Sequence, residues 1–581
     1  MGDRPVPARP RSPVSPLERY LPILRWLPAY PREWLRGDLT AGITSWGVMV
    51  PVALAYAGLA GVPPELGLVT AFAALAAYAV FGTSRFSKVT VSSTMAVMSA
   101  SVIGSLGLRD PATAIALTAA LALIVGGMLV GAGIARLGFI SDFLSKAVVT
   151  GFIAGLAITI IVGQLPKVLG VSIDAEAVPE QVLDLAAEFG GYNPYAIAIG
   201  LISIAIILGL RAISRKIPGP LVALVLGIVA VPVLGLEDYG VAVVGEIATG
   251  LPLPSLPRIP LSDVPFLIVG AAGIVFLAVG ESIGTARAYA AKHGDRIDVD
   301  QELLALGASN LASGLFGGFV ADASVSQSAT AEDAGARSQL SSLVTAGLVL
   351  LTVLLLAPLF KTLPNAVLGA IVIVAALSLI DIGELRRYWA WRRADFAIAL
   401  VALVGVVLTS VLVGMVVAVL LSLVLLLYRA SRPYVAALGR LSGGRGSFAD
   451  LARHAEAVPI PGILVARIDA PLYFFNANVA YTQIIELFGR IAPVPSVVVL
   501  DLAATADLDV STGDMLFELH QELRALGVEL RLAQVRAKVR DRMRTMGLMD
   551  EIGEQRVHLS VAAAVEDQPD RPRVAGTVVP D

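Results

Sequence analysis

Apolar runs of roughly 16–25 residues recur from Leu39 to Leu427, broken by short polar turns. Runs of that length, repeated that often, restrict the chain to a bundle of membrane-spanning helices. Spans are expected near 39–57, 66–81, 89–107, 113–135, 141–163, 194–213, 219–235, 264–288, 301–316, 323–335, 339–359, 364–380, 394–411 and 412–429. Composition agrees: 56% of the 581 residues are hydrophobic and 15% are charged, where a soluble chain carries about a quarter charged. The chain has no cysteine, which excludes disulfides and thiolate sites. Its net charge of −3 gives no reason to expect nucleic acid. The four histidines (His293, His454, His520 and His558) have no helical ligand spacing and are expected to be solvated or loop residues. No Walker motif, nucleophile elbow or metal cluster supports an enzyme.

Residues 1–37 are rich in Pro and Arg, without the apolar core of a signal peptide, and are expected to form a flexible cytoplasmic lead. The lead carries seven arginines, and the loops from Arg211 to Pro220, Arg287 to Arg296 and Arg386 to Arg393 are basic. The segment from Val171 to Asn193 is acidic, with Asp174, Glu176, Glu180, Asp184 and Glu188. Basic loops inside and an acidic loop outside put both ends of the membrane part in the cytoplasm, which needs an even number of crossings. Fourteen satisfies this, as twelve would. After residue 430 the composition changes. A basic linker is expected over 431–458, then a small α/β domain over 459–567. Its strands are expected at 463–469, 472–477, 496–504 and 528–535, with helical stretches between them. The tail 568–581 reads as disordered.

Two segments break the apolar pattern alike: Gly82 to Ser101 and Gly317 to Ala336. Each has a polar, small-residue lead before a short helix, and they are the third and tenth spans, matched positions in two seven-span halves. Irregular backbone at membrane depth is tolerated only around a cavity or inside protein, and paired interrupted segments point to a transporter site. Two helix N-termini meeting near the midplane would present free N–H groups and positive dipole ends to an anion. Ser92, Ser93 and Thr94 are candidate caps of the first; Ser324, Ser326 and Ser328 of the second. The plainer alternative is a pair of loops whose small residues pack helix on helix. Glu281 lies well inside an apolar span. A carboxylate there is costly to keep charged, normally faces an interior cavity, and is a candidate proton carrier. Asp322 is a similar case, set nearer an outer mouth.

At these residues the chain resembles the sulfate permease (SulP) family of anion transporters, over about Leu21 to Asp567. The stretches 38–68, 137–171, 280–319 and 328–343 carry the resemblance, and LDLAATADLDVSTGDML (500–516) resembles the STAS domain that follows the membrane part in that family. The resemblance implies fourteen segments in a seven-plus-seven inverted repeat, with a core domain, a gate domain and half-helices three and ten. The core carries a small anion past the gate by an elevator-like motion. It implies substrate binding by Ser92, Ser93, Thr94, Tyr56, Ala323, Ser324, Val325, Ser326 and Gln327. It also implies coupling to H+ or Na+ through Glu281, Thr285 and Asp322, no cofactor, and a homodimer in the cell membrane. Sulfate leads, with bicarbonate or a dicarboxylate as alternatives, and Glu281 favours a proton over sodium. Uncoupled exchange, chloride conduction, nucleobase symport and a non-transporting sensor are the rival readings. Three departures bear on the substrate. Val52 replaces the family's Gln, Thr90-Val91 replace Gly-Pro, and Ser326-Gln327 replace Ser-Arg, leaving helix dipoles, Lys88 or a co-transported cation to balance a dianion. Asp509, Ser511 and Thr512 occupy a loop where a cytoplasmic regulator could act, although Ser511 or Thr512 is expected to be a plain helix cap.

Overall fold

The computed structural model describes residues 16–107, 110–139, 145–173, 175, 177–214, 217–409, 411–441 and 446–567. The tail 568–581, residues 1–15, Asp174, Glu176 and the start of the expected fifth span lie outside them. The chain divides into two units, Met1–Leu423 and Val424–Asp581.

The first unit is helical. Its main helices are α1 (Leu35–Leu59), α2 (Pro64–Phe81), α3 (Ser93–Gly104), α4 (Pro111–Ile134), α5 (Lys146–Leu169), α6 (Pro194–Ile213) and α7 (Gly219–Leu234). The second half repeats them as α8 (Val264–His293), α9 (Val299–Leu315), α10 (Val325–Asp333), α11 (Leu340–Leu351), α12 (Asn365–Leu377), α13 (Arg393–Leu408) and α14 (Val411–Ala430). Two short strands precede the third helix of each half: β1 (Val89–Val91) and β2 (Ala321–Ala323). Among the described residues eight helices are long and apolar enough to cross a membrane. The helix starts are written in the sequence. Asp110 accepts from Thr113 N, Asn193 from Tyr195 N and Ala196 N, and Asp298 from Asp300 N and Gln301 N.

The packing has the symmetry of a repeat. Helix α4 lies on α9, as α11 lies on α2; α5 lies on α13, as α12 lies on α6; α8 lies on α4, as α1 lies on α11. A shift of seven carries each pair onto its counterpart. Strands β1 and β2 run antiparallel, so the two halves are related as an inverted repeat. Close approach is set by small residues. A Cβ on Gly67 would sit 1.9 Å from the Ala53 carbonyl oxygen, and one on Gly151 would sit 1.9 Å from that of Ala399.

The lead is partly structured. Residues Pro16–Tyr20 and Ile23–Trp26 are short helices. Trp26 Nε1 donates to Ala79 O, and Gln301 Nε2 donates to Tyr20 O. The expectation of a flexible lead is therefore corrected from residue 16 onward: aromatic and amide side chains tie it to the helix ends.

The second unit is a sheet in the order β4 (Phe448–Asp450), β3 (Val435–Leu441), β6 (Ile463–Ile468), β7 (Val497–Asp501), β8 (Glu529–Ala533), β9 (Val557–His558), with β5 (Ala457–Val458) beside β3. Strands β6 to β9 are parallel, and β3 is antiparallel to its neighbours. Helices α15 (Ala477–Arg490), α16 (Val510–Ala525) and α17 (Ala537–Thr545) cover one face, and α18 (Val561–Glu566) covers the other. Two expectations are corrected. The segment 431–458, read as a linker, supplies three of the strands. Residues 472–477, read as a strand, form a turn in which Asn476 Oδ1 accepts from Tyr473 N and Nδ2 donates to Pro471 O. A third correction concerns the cap of α16. It is Asp509, which accepts from Thr512 N at 2.8 Å, rather than Ser511 or Thr512.

His520, on α16, is 2% exposed, and neither ring nitrogen has a hydrogen-bond partner among the described residues. The expectation of a solvated histidine is corrected here. Burial lowers its pKa from the ordinary 6.5. A depressed histidine stays neutral in the fold but takes a proton when unfolded below about pH 6.5. Its stabilising contribution is thus complete above that pH and lost as pH falls. Differential scanning should show the transition of this unit moving down between pH 8 and 5, with the drop reduced in His520→Leu. An equal drop in both proteins would remove His520 from the account.

Candidate functional site: two half-helices on a short ribbon

The polar lead at 82–88 and the glycine-rich turn at 316–320 bring two chains into the middle of the bundle. There β1 and β2 pair in register Val89↔Ala323, Thr90↔Asp322, Val91↔Ala321, with all six residues buried. The pairing supplies partners for backbone that lipid could not solvate. The ribbon is extended by Ser324 N donating to Lys88 O and Lys88 N donating to Ser328 Oγ, each at 2.9 Å. Asn310 of α9 brackets the ribbon: its Nδ2 donates to Ala321 O at 3.0 Å and its Oδ1 accepts from Ala321 N at 2.8 Å. Thr70 Oγ1 accepts from Phe319 N, and Ser313 Oγ donates to Phe319 O. On the other lead, buried Glu302 accepts from Tyr78 Oη, Thr83 N, Thr83 Oγ1 and Ser84 N at 2.5–2.9 Å.

Each strand turns directly into a half-helix, so α3 and α10 begin at opposite ends of one ribbon. The first N–H groups of each lack an intrahelical acceptor and carry the positive end of the dipole. At α10, Ser324 Oγ accepts from Gln327 N at 3.3 Å and lies 3.2 Å from Ser326 Oγ. Val325 is 61% exposed and Ser326 is exposed, so this helix start opens onto free space. At α3, Ser92 holds the cap position but its side chain makes no capping bond. Ser93 and Thr94 are buried, and Tyr56 of α1 lies beside Ser93. Among the expected caps only Ser324 acts as one. Ser326 joins Ser324, and Ser328 serves the ribbon.

The carboxylates complete the site. Asp322 is fully buried inside the ribbon, which corrects its placement at an outer mouth. Its Oδ1 accepts from Ser282 Oγ and from Ala323 N, while Ala323 N also donates to Ser282 Oγ at 3.1 Å. The half-buried Glu281 faces Asp322 and Thr94 of the first half-helix, and Asp322 Oδ2 is buried without a hydrogen-bond partner among the described residues. Polar side chains thus line a path from α8 through the ribbon to the start of α3. Two carboxyl groups in contact inside protein need a positive charge between or beside them, and a proton or a small cation can supply it. Thr285 is a turn away, with its hydroxyl given to the Glu281 carbonyl.

Two residues behave differently from expectation. Lys88 is buried, and its Nζ donates to Ser341 Oγ at 2.7 Å and Ser342 Oγ at 2.8 Å at the start of α11. Gln327 is 3% exposed, so its side chain points into the protein while Val325 and Ser326 face the opening. The supporting residues Asn310, Ser313, Thr70 and Glu302 were missed. Three of them, with Ser309, recur at helical spacing on α9 (302, 309, 310, 313), a polar face on an apolar span that could have revealed them.

This geometry sets two half-helix N-termini at the ends of one buried ribbon, with a buried carboxylate between them. Residues 35–402 match the model of the sulfate permease family, and residues 454–564 match the STAS domain. The chain is 35% identical over 537 residues to "Probable sulfate transporter Rv1739c" of Mycobacterium tuberculosis, covering 92% of this chain and 96% of that one. It is 31% identical over 580 residues to sulfate transporter 1.1 of Arabidopsis thaliana, covering 94% and 88%. The fold matches the overall structure of SLC26A9 with a TM-score of 0.86 at 22% identity, covering 97% of both chains. It also matches the transmembrane domain of a cyanobacterium bicarbonate transporter, BicA (TM-score 0.59, 26% identity, 68% of this chain and 97% of that one). The chain belongs to the sulfate permease family: it is a multi-pass anion transporter with a C-terminal STAS domain, and not an enzyme.

Proposed function

We propose that this protein is a proton-coupled symporter of sulfate. The anion sits between the N-termini of α3 and α10, among Ser92, Ser93, Thr94, Tyr56 and residues 323–327. Glu281 and Asp322 hold the coupling proton, with Thr285 beside them. The observation that supports this most directly is the buried Asp322 on the ribbon with Glu281 facing it, beside the start of the helix that would hold the anion. With no lysine or arginine among these residues, the co-transported proton offsets part of the anion's charge. The core moves past the gate in an elevator-like exchange, the protein is a homodimer in the cell membrane, and both termini are cytoplasmic, in line with the arginine-rich lead. The likeness to BicA favours bicarbonate as the anion in one second reading, in which sodium takes the place of the proton at the same residues.

Ser326→Leu tests the anion site. The exposed position admits the larger side chain without repacking the core, and the leucine should fill the mouth of α10. Sulfate affinity should fall by at least about tenfold, the loss of one good hydrogen-bonded contact, with the melting temperature unchanged. Wild-type affinity would show that the anion binds elsewhere.

A further inference from the structure

The lead and the adjacent helix ends enclose a second site, unrelated to the half-helices. Its cavity holds about 690 Å³ between the short lead helices and the turns at 82–85, 296–298 and 338–339. The walls are fixed by hydrogen bonds: Trp26 Nε1 to Ala79 O, Gln301 Nε2 to Tyr20 O and Phe81 O, and Tyr30 Oη to Asp38 Oδ2. Four arginines line it. Arg85 is held by Asp295 in a two-pronged pair, and Arg19 lies a loose 3.9 Å from Asp298. Arg25 and Arg296 make no ion pair among the described residues. The aromatic faces of Trp26, Tyr30 and Trp34 complete the lining. A preformed pocket with uncommitted guanidinium groups selects an anion with several acceptor oxygens, and phosphate fits that fork geometry.

A second observation points to the source of such a phosphate. Leu17, Leu24 and Leu27 on the lead are exposed, and so are Leu35, Leu39 and Ile43 on the first turns of α1. Exposed apolar side chains therefore alternate along the lead with the pocket's residues and continue in sequence onto a helix long and apolar enough to cross a membrane. Arginines beside leucines at a membrane surface match a phosphate with acyl chains attached. We propose that this pocket binds the phosphate headgroup of an anionic phospholipid from the adjoining leaflet, with the acyl chains along the leucines of the lead and α1. The occupied pocket would pin the lead against the turn that carries Arg85, three residues before the ribbon, and so make the core sensitive to the lipid around it.

Native mass spectrometry of the full-length protein tests this, with phosphatidylglycerol and phosphatidylcholine supplied in equal amounts. The wild type should retain phosphatidylglycerol preferentially, and Arg25→Gln/Arg296→Gln should weaken that preference by about thirtyfold, two charges at a membrane surface. Arg25→Lys/Arg296→Lys, which keeps both charges but not the fork, should lie between the two and would separate a binding loss from misfolding. The same preference in wild type and the glutamine variant would overturn the proposal. Complete displacement of the lipid by millimolar inorganic phosphate would overturn the lipid source and leave a site for free phosphate.

Discussion

Glu281→Gln should abolish proton-driven accumulation of sulfate while leaving the protein folded and able to equilibrate the anion. The glutamine amide matches the carboxyl in shape and keeps its place beside Asp322 and Thr94, the two neighbours of Glu281. It cannot gain or lose a proton. With the membrane potential clamped, each pH unit across the membrane is worth about 1.36 kcal/mol per proton, a tenfold accumulation for a one-proton symporter. The wild type should approach that ratio and the variant should stay near unity. Downhill exchange should survive, because the half-helix termini and Ser324 are untouched. Asp322 alone should not rescue coupling. Its Oδ1 already serves Ser282 and Ala323 N within the ribbon, and the pair requires both members. Unaltered gradient-driven uptake in Glu281→Gln would remove Glu281 from the mechanism.

Glu302→Ala is the second large effect, and it acts on the scaffold. The carboxylate is 4% exposed and satisfies four donors at once: Tyr78 Oη, both the N–H and hydroxyl of Thr83, and Ser84 N. Removing it leaves donors in protein without partners, at about 1–3 kcal/mol for each group that water cannot reach. Because Thr83 is only half-buried, water reclaims part of the loss, and a total of about 4 kcal/mol is expected, within the range for a broken buried charge network. Glu302→Gln keeps one acceptor oxygen but turns an NH2 toward a donor, and should lose about half as much. Thermal unfolding in detergent checks both, with the order wild type, glutamine, alanine. An alanine variant melting with the wild type would mean that the lead at 82–88 is not held from α9.

The membrane helices were legible because lipid demands long apolar runs and Gly or Pro marks their ends. The third and tenth spans stood out for the opposite reason, since irregular polar backbone at that depth must be buried in protein or line a cavity. The ribbon between them was not legible. Val89 and Ala323 are far apart in sequence, and three-residue strands carry no periodicity of their own. Their pairing depends on the fold of both halves and on Asn310, whose side chain stands in for a neighbouring strand. The caps failed at Ser326 and Ser328 because a helix has a single cap position, held by Ser324, and the sequence offered three hydroxyls for it. Asp509 supplanted Ser511 for the same reason. Glu281 was legible from its depth alone, while its partner Asp322 was read as peripheral, since glycine-rich sequence gives no measure of burial. Lys88 was set near the anion by its place in the chain, but a long side chain can reach a different helix, and the hydroxyls of Ser341 and Ser342 take it there.

The most direct test of the account is uptake of labelled sulfate, bicarbonate and fumarate into proteoliposomes, each with and without an inward proton gradient and with and without sodium. Sulfate accumulating only under the proton gradient is the predicted result, and it would join the carboxyl pair on α8 and β2 to the anion site at α3 and α10. Uptake of all three anions without any gradient, or accumulation driven by sodium alone, would contradict proton coupling through Glu281.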